Sequence, residues 1–233
     1  MTAYEIAVRI YLNKNIKVTD IQGAIVLFID SFLSKDKEFA KYHETRIPKC
    51  YTMDLPYPIG KGRSEYKGDN IYQFRIRTVN EELSSYLLSG IADHRTDKMK
   101  GLARTVKTIP HRHISSVYTL TPVVLSDAAG RGYWRDCLSF TEFEEMLKKS
   151  MFHQYETYTG EKIDRECPLY DQIELKNKVP IGIPYKGITL FGDKLAMQVS
   201  DNETAQKIMY FLLGSGMGTR GSRGMGFLGY RFL

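Results

Sequence analysis

Apolar and polar residues alternate from residue 4 to residue 12. Tyr4, Ile6, Val8, Ile10 and Leu12 share one side, and Glu5, Ala7, Arg9 and Tyr11 the other. A period of two belongs to a strand with one buried face. Beyond a polar turn the period lengthens: Ile21, Ile25, Phe28, Ile29 and Phe32 follow helical spacing, with Thr19 and Gln22 in capping-box positions before them. The pattern fades at Lys35-Asp36-Lys37, which leaves an irregular polar stretch through Tyr42 and His43 and then a strand expected over 49–54. After Pro56, Pro58, Gly60 and Gly62, the residues Tyr72, Phe74 and Ile76 alternate with Gln73, Arg75 and Arg77. Asn80 is placed to cap a helix with Leu83, Leu87 and Ile91 on one face, and a basic segment from His94 to Lys107 precedes another strand-like stretch.

Strand, helix, strand, strand, helix, strand is the ferredoxin-like order. The rest of the chain repeats it more weakly. A strand is expected over 116–125, a helix opened by the capping box of Ser139 and Glu142, and strands near 173–175 and across 187–199. A further helix opens at Ser200 and Glu203, and a strand over 227–232 closes the pattern. The expectation is an α+β protein of two tandem ferredoxin-like (RRM-like, βαββαβ) domains, residues 1–113 and 114–233. One continuous α+β domain is the alternative.

Hydrophobic content of 42% and charged content of 26% are globular values. A net charge of +6 and a pI near 9.0 point to a polyanionic partner. The 16 tyrosines and 11 phenylalanines suit single-stranded RNA, which is held by stacking as well as by charge. Cys50, Cys137 and Cys167 form no Cys-x-x-Cys pair, so neither a zinc site nor a disulfide framework is expected and a reducing, cytoplasmic location is the simplest. No apolar run approaches a membrane span, and no acidic or histidine cluster has metal-ligand spacing. The expectation is therefore no membrane, no metal and no cofactor.

The densest chemical signal lies near the end of the chain. Six of the 19 glycines fall within residues 214–226, with Arg220 and Arg223 between them. Glycine lets backbone amides approach a ligand, and two arginines make an anion the natural guest. Neither the phosphate-binding lysine motif nor the dinucleotide fingerprint is present. The candidates for RNA contact are the amides of Gly216, Gly218, Gly224 and Gly226 and the side chains of Arg220 and Arg223. A second basic group is Lys98, Lys100, Arg104 and Lys107, for which solvated charge is the plainer reading.

Gly216-Met-Gly218, five residues, then Gly224-Met-Gly226-Phe227 resembles the C-terminal glycine loop of the CRISPR-associated endoribonucleases that cut precursor CRISPR RNA within its repeats. These belong to the repeat-associated mysterious protein superfamily, whose members carry paired ferredoxin-like domains. Tyr42-His43-Glu44 followed by Lys49-Cys50-Tyr51-Thr52 is similar to that family's catalytic-histidine loop, including the six-residue step from His43 to Lys49. The segment Tyr118 to Val124 is similar to the strand opening its second domain. The resemblance implies metal-independent cleavage in which the RNA's own 2′-OH attacks the adjacent phosphate, leaving a 2′,3′-cyclic phosphate and a 5′-OH. A histidine suits this because its pKa of about 6.5 lets it accept and donate protons near neutrality. On this resemblance His43 is the catalytic base and Lys49 stabilises transition-state charge. Phe28 stands where some members place a catalytic tyrosine, and Tyr42 is the candidate substitute. The implied partner is CRISPR repeat RNA, with other CRISPR effector subunits as further candidates and a monomer or homodimer as the state. A catalytically inactive repeat-binding subunit of an effector complex is the alternative function.

Overall fold

The computed structural model describes residues 1–45, 47–58, 62–125 and 132–233. The opening alternation becomes β1 (Tyr4–Leu12), in which Ile6, Val8, Ile10 and Leu12 are fully buried. A short β2 (Ile16–Lys17) leads into α1 (Ile21–Leu33), whose Ile21, Ile25, Phe28, Ile29 and Phe32 pack on the same core. The expected capping box does not form there. Asp20 occupies the N-cap position without a side-chain bond, and Gln22 donates instead to the distant carbonyl of Arg223.

The stretch read as irregular is a helix, α2 (Lys37–Glu44). None of its residues is buried, so it shows no apolar periodicity. It is set by the Asp36 carboxylate, which accepts from the amides of Glu38 and Phe39. Then come β3 (Tyr51–Met53), β4 (Glu65–Tyr66), which pairs with β2, and β5 (Ile71–Thr78). The helix α3 (Glu81–Gly90) is capped by Asn80 as its sequence suggests. The basic segment is itself a strand, β6 (Met99–Thr108), rather than a connection before one.

The second half follows with β7 (Ile114–Thr119), shorter than the stretch expected, a single helical turn α4 (Trp134–Cys137), and α5 (Phe140–Thr159), which opens with the Ser139–Glu142 capping box. After β8 (Tyr170–Leu175), the strand expected across 187–199 is broken. An antiparallel hairpin of β9 (Ile181–Tyr185) and β10 (Ile188–Gly192) comes first, then β11 (Leu195–Val199). The break is at Asp193, whose buried carboxylate accepts from Tyr133, Trp134, Arg135 and Asn177 and cannot lie on an apolar strand face. The chain ends with α6 (Glu203–Ser215), capped by Asn202, and β12 (Leu228–Phe232).

The strands form two four-stranded antiparallel sheets, ordered β3-β5-β1-β6 and β12-β7-β11-β8. In each, the first strand lies between the third and the fourth, so the ferredoxin-like arrangement occurs twice. A buried ion pair links the sheets. Arg77, on the polar side of the β5 alternation, is nevertheless 2% exposed; it pairs with Glu5 at 2.7 Å, donates to the Leu228 carbonyl and lies 4.3 Å from the Phe227 ring. Arg75 is likewise drawn to Asp54, at 2.6 Å. Nearly every side of α6 is buried. Its Gly214 sits so close to Val79 that a Cβ would approach that side chain to 2.6 Å. This wedge delivers the glycine run to β3.

Candidate active site

The glycine run leaves α6 through Gly216, at φ +82°, passes a 3₁₀ turn over Gly221–Arg223, and enters β12. At Gly216, Gly224 and Gly226 the amide is already taken within the protein, which counts against the reading of a bare-amide clasp at those three positions. The amide of Gly216 donates to Leu212, that of Gly224 to Gly221, and that of Gly226 to Pro122. Gly226 shows the constraint best: at φ +70° a Cβ would lie 1.8 Å from the Met217 carbonyl oxygen, whose residue in turn donates its amide to Gly226. Gly218 is also buried, and its carbonyl accepts from Gln154 of α5. These amides turn inward because the loop fills the angle between β3 and the end of β7, and side chains remain at its tip for a ligand.

Arg223 is one of those side chains. Its Nη1 lies 2.5 Å from Oδ2 of Asp30 on α1, and its Nη2 lies 3.3 Å from Nε2 of His43 on α2. The other carboxylate oxygen, Oδ1, lies 2.8 Å from the same imidazole nitrogen. Arginine only donates, so Nε2 cannot be protonated toward Asp30 and also accept from Arg223. The shorter contact decides. In the neutral ring this puts the proton on Nε2, facing Asp30, and leaves Nδ1, which has no hydrogen-bond partner among the described residues, as the nitrogen with the lone pair. Burial works against the charge of Arg223, but the Asp30 carboxylate outweighs it and holds the guanidinium above its ordinary pKa. These three groups border a cleft of about 410 Å³ whose other walls come from α1, the loop and the β9–β10 hairpin.

Lys49 and Tyr42 are placed differently. The Lys49 ammonium donates to the carbonyls of Tyr42 and Thr45, the latter at 2.8 Å, and so caps the C-terminus of α2. It borders a second depression of about 250 Å³, shared with His153 and Ser222, and not the His43 cleft. Burial and the Arg223 charge both lower its pKa. The Tyr42 hydroxyl accepts from the Cys50 amide at 3.0 Å, and burial holds it well above the usual phenol range. Both residues brace the turn between α2 and β3. Phe28, at the position of the family's tyrosine, is buried in the core.

Arg220 carries no ion pair among the described residues; its guanidinium lies 5.7 Å from the centre of the Tyr185 ring, at the tip of the hairpin. The basic group does not join this site. Lys100, Arg104 and Lys107 lie on β6, at the opposite edge of the first sheet from β3, with Lys98 just before it. Two strands intervene, so the separation across the sheet is about 14 Å at ordinary strand spacing. Lys107 pairs with Glu5 at 3.1 Å.

Asp30 and Tyr185 were not singled out from the sequence, and Gln22 was read there only as a capping residue. Asp30 did carry a signal, as the only charged residue in α1. Among the described residues no group of three or more histidine, cysteine, aspartate or glutamate side chains is placed to hold a metal ion, and no helix is long and apolar enough to cross a membrane.

The family model described as CRISPR associated protein Cas6, C-terminal, matches residues 104–230, more than half of the chain. The chain belongs to the Cas6 family. No curated protein sequence matches it. Among solved structures, one described as CRISPR associated protein Cas6 superposes with a TM-score of 0.71 at 16% identity, covering 98% of this chain and 99% of its own. The product of a Cas6-related gene from Pyrococcus furiosus gives 0.69 at 16% identity, covering 98% of both chains. A Cas6 product complex gives 0.61 at 17% identity, covering 99% of this chain and all of its own. At these identities the likeness is one of fold, and the paired ferredoxin-like sheets are common to this chain and these Cas6 structures.

Proposed function

We propose that this protein is a metal-independent endoribonuclease that binds precursor CRISPR RNA and cleaves it within its repeats, with His43 as the base. Membership of the Cas6 family supports repeat-RNA processing, and one observation carries the chemistry. An imidazole with a free Nδ1 is oriented by a carboxylate and lies against a guanidinium from the opposite half of the fold. Nδ1 takes the 2′-OH proton, the 2′ oxygen bonds to phosphorus, and the bond to the 5′ oxygen breaks; that oxygen takes a proton from water, giving a 2′,3′-cyclic phosphate and a 5′-OH end, and the imidazolium returns its proton to solvent. Arg223 faces the negative charge that grows on the phosphoryl oxygens. Arg220 and Lys186 flank the cleft and are placed to hold neighbouring phosphates.

The test is incubation of the protein with labelled repeat RNA in EDTA. Cleavage that persists in EDTA, and stops when the scissile nucleotide is 2′-deoxy, supports the proposal. His43→Ala should slow the cut by about 10²–10⁴-fold with little change in affinity. A cut that requires added metal, or an undiminished rate in His43→Ala, overturns it. The engagement of Lys49 and Tyr42 by backbone groups favours a second reading, a repeat-binding subunit without activity. Tight binding with intact RNA selects that reading.

A further inference from the structure

The cleft beside His43 is larger than a phosphate needs, and most of its wall is apolar. Gly23, Leu27 and Asp30 lie one and two turns apart on a single face of α1, the face turned away from the core residues Ile25, Phe28 and Ile29. Leu27 is 60% exposed although it belongs to a helix that is otherwise well packed. Gly23 has nothing within 4 Å of where a Cβ would stand, so the wall is open above it. Opposite, the hairpin brings Pro184 and Tyr185 over the cleft, and Met225 of the glycine loop closes one end. Met225 is itself fixed by packing with Ile183 and Val124, which ties the hairpin to the loop.

One polar group inside this apolar space is oriented by a bond already made. The Gln22 amide nitrogen donates to the Arg223 carbonyl at 2.7 Å, so its Oε1 is the free end, and it has no partner among the described residues. The cleft therefore offers an aromatic ring, an aliphatic floor and, on Gln22, an acceptor oxygen not already engaged, next to the imidazole.

In-line attack by a 2′-OH requires the attacking oxygen, the phosphorus and the leaving oxygen to align, which continuous base stacking prevents. One base beside the cut must swing out. Resting on the ribonuclease reading above, we infer that this cleft receives the base of a nucleotide flanking the scissile phosphate, stacked on Tyr185, and that Gln22 Oε1 selects a base with an exocyclic amino group. Gln22 is then a specificity-determining residue, and the volume of about 410 Å³ is of the size that takes a small planar group.

The open position at Gly23 supplies the experiment. Gly23→Leu adds a side chain to the cleft two helical turns from Asp30, where nothing stands within 4 Å of the new Cβ, and exchanges a helical glycine for a better helix former, so the variant should melt no lower than wild type. Binding is measured with repeat RNA made uncleavable by a 2′-deoxy nucleotide at the cut, in a series with one abasic site at each position. For the wild type, one abasic site within two nucleotides of the cut should weaken binding by roughly 10- to 100-fold. Gly23→Leu should bind the intact RNA more weakly by a similar factor and lose sensitivity at that position. With adenine there, removal of the exocyclic amine should cost the wild type roughly fivefold and Gln22→Leu nothing.

The inference is overturned if no position separates wild type from Gly23→Leu, or if the sensitive base lies far from the cut. RNA that is bound in this pattern but never cleaved overturns the catalytic reading and leaves the base site standing. RNA that is not held at all overturns both.

Discussion

Arg223 reaches the Asp30 carboxylate at 2.5 Å from 193 residues away in the sequence, and the same carboxylate holds the His43 imidazole. The consequence is a choice of tautomer. In Asp30→Asn the amide oxygen is drawn to Arg223, which needs an acceptor, so the amide NH₂ faces Nε2 and the proton moves to Nδ1. On the proposed mechanism, the nitrogen that takes the 2′-OH proton then has no lone pair. Single-turnover cleavage should fall by about 10²-fold or more, with affinity little altered. Cleavage at the wild-type rate would show that Asp30 does not set the imidazole.

Lys49 should act on stability as well as on activity. In Lys49→Met the carbonyls of Tyr42 and Thr45 lose their donor at the end of α2. Hydrogen bonds to a charged group contribute about 1.5–3 kcal/mol. Partial exposure reduces this to about 1 kcal/mol, or a Tm lower by roughly 2–4 °C for a chain of this size. Cleavage should fall less than in His43→Ala, because the imidazole remains. An unchanged Tm with activity abolished would instead place the ammonium on the RNA.

The glycines of the loop should separate by what surrounds them. Gly226→Ala forces a Cβ against the Met217 carbonyl oxygen and should destabilise the protein by about 3 kcal/mol or more. Gly160, at φ +75° beyond α5, has open space around it, so Gly160→Ala carries only the left-handed backbone cost of about 1–2 kcal/mol. Urea denaturation of the two variants gives both values. Equal losses would mean that the loop yields to the added methyl.

His94 gives the fold a dependence on pH. Its Nε2 lies 2.8 Å from the Ser31 hydroxyl, its Nδ1 is buried without a hydrogen-bond partner among the described residues, and its ring packs between Phe28 and Phe32. Burial, and then the Lys35 charge, lower its pKa. The unfolded chain takes up this proton near pH 6.5 while the folded one resists. The contribution is complete above about pH 6.5 and is lost as the pH falls from there through the folded value. His94→Gln should shrink the difference in denaturation midpoint between about pH 7.5 and about pH 5. An identical acid dependence in the variant would assign the effect to other groups.

The two ferredoxin-like sheets were legible because Ile6, Val8 and Ile10, and likewise Ile25, Phe28 and Phe32, repeat with the periods of the elements they build. The helix carrying His43 was not, because no residue of α2 is fully buried and the helix is set by a cap. The glycine loop stood out by composition, yet its use did not. The same absence of a Cβ that admits a phosphate also admits a carbonyl, and at Gly226 the neighbour is Met217. Asp30 and Tyr185 meet His43 only through long-range packing. No local spacing encodes that.

The wedge of α6 has a bearing on synthesis. It is buried against both halves, and it positions the guanidinium that completes the His43 pair. A nascent chain halted anywhere before residue 223 therefore carries an imidazole and a carboxylate but not their third member. On the proposed mechanism, such a chain has the base and its carboxylate but lacks the cation that faces the phosphoryl charge, which is added only within the last tenth of the chain to be made.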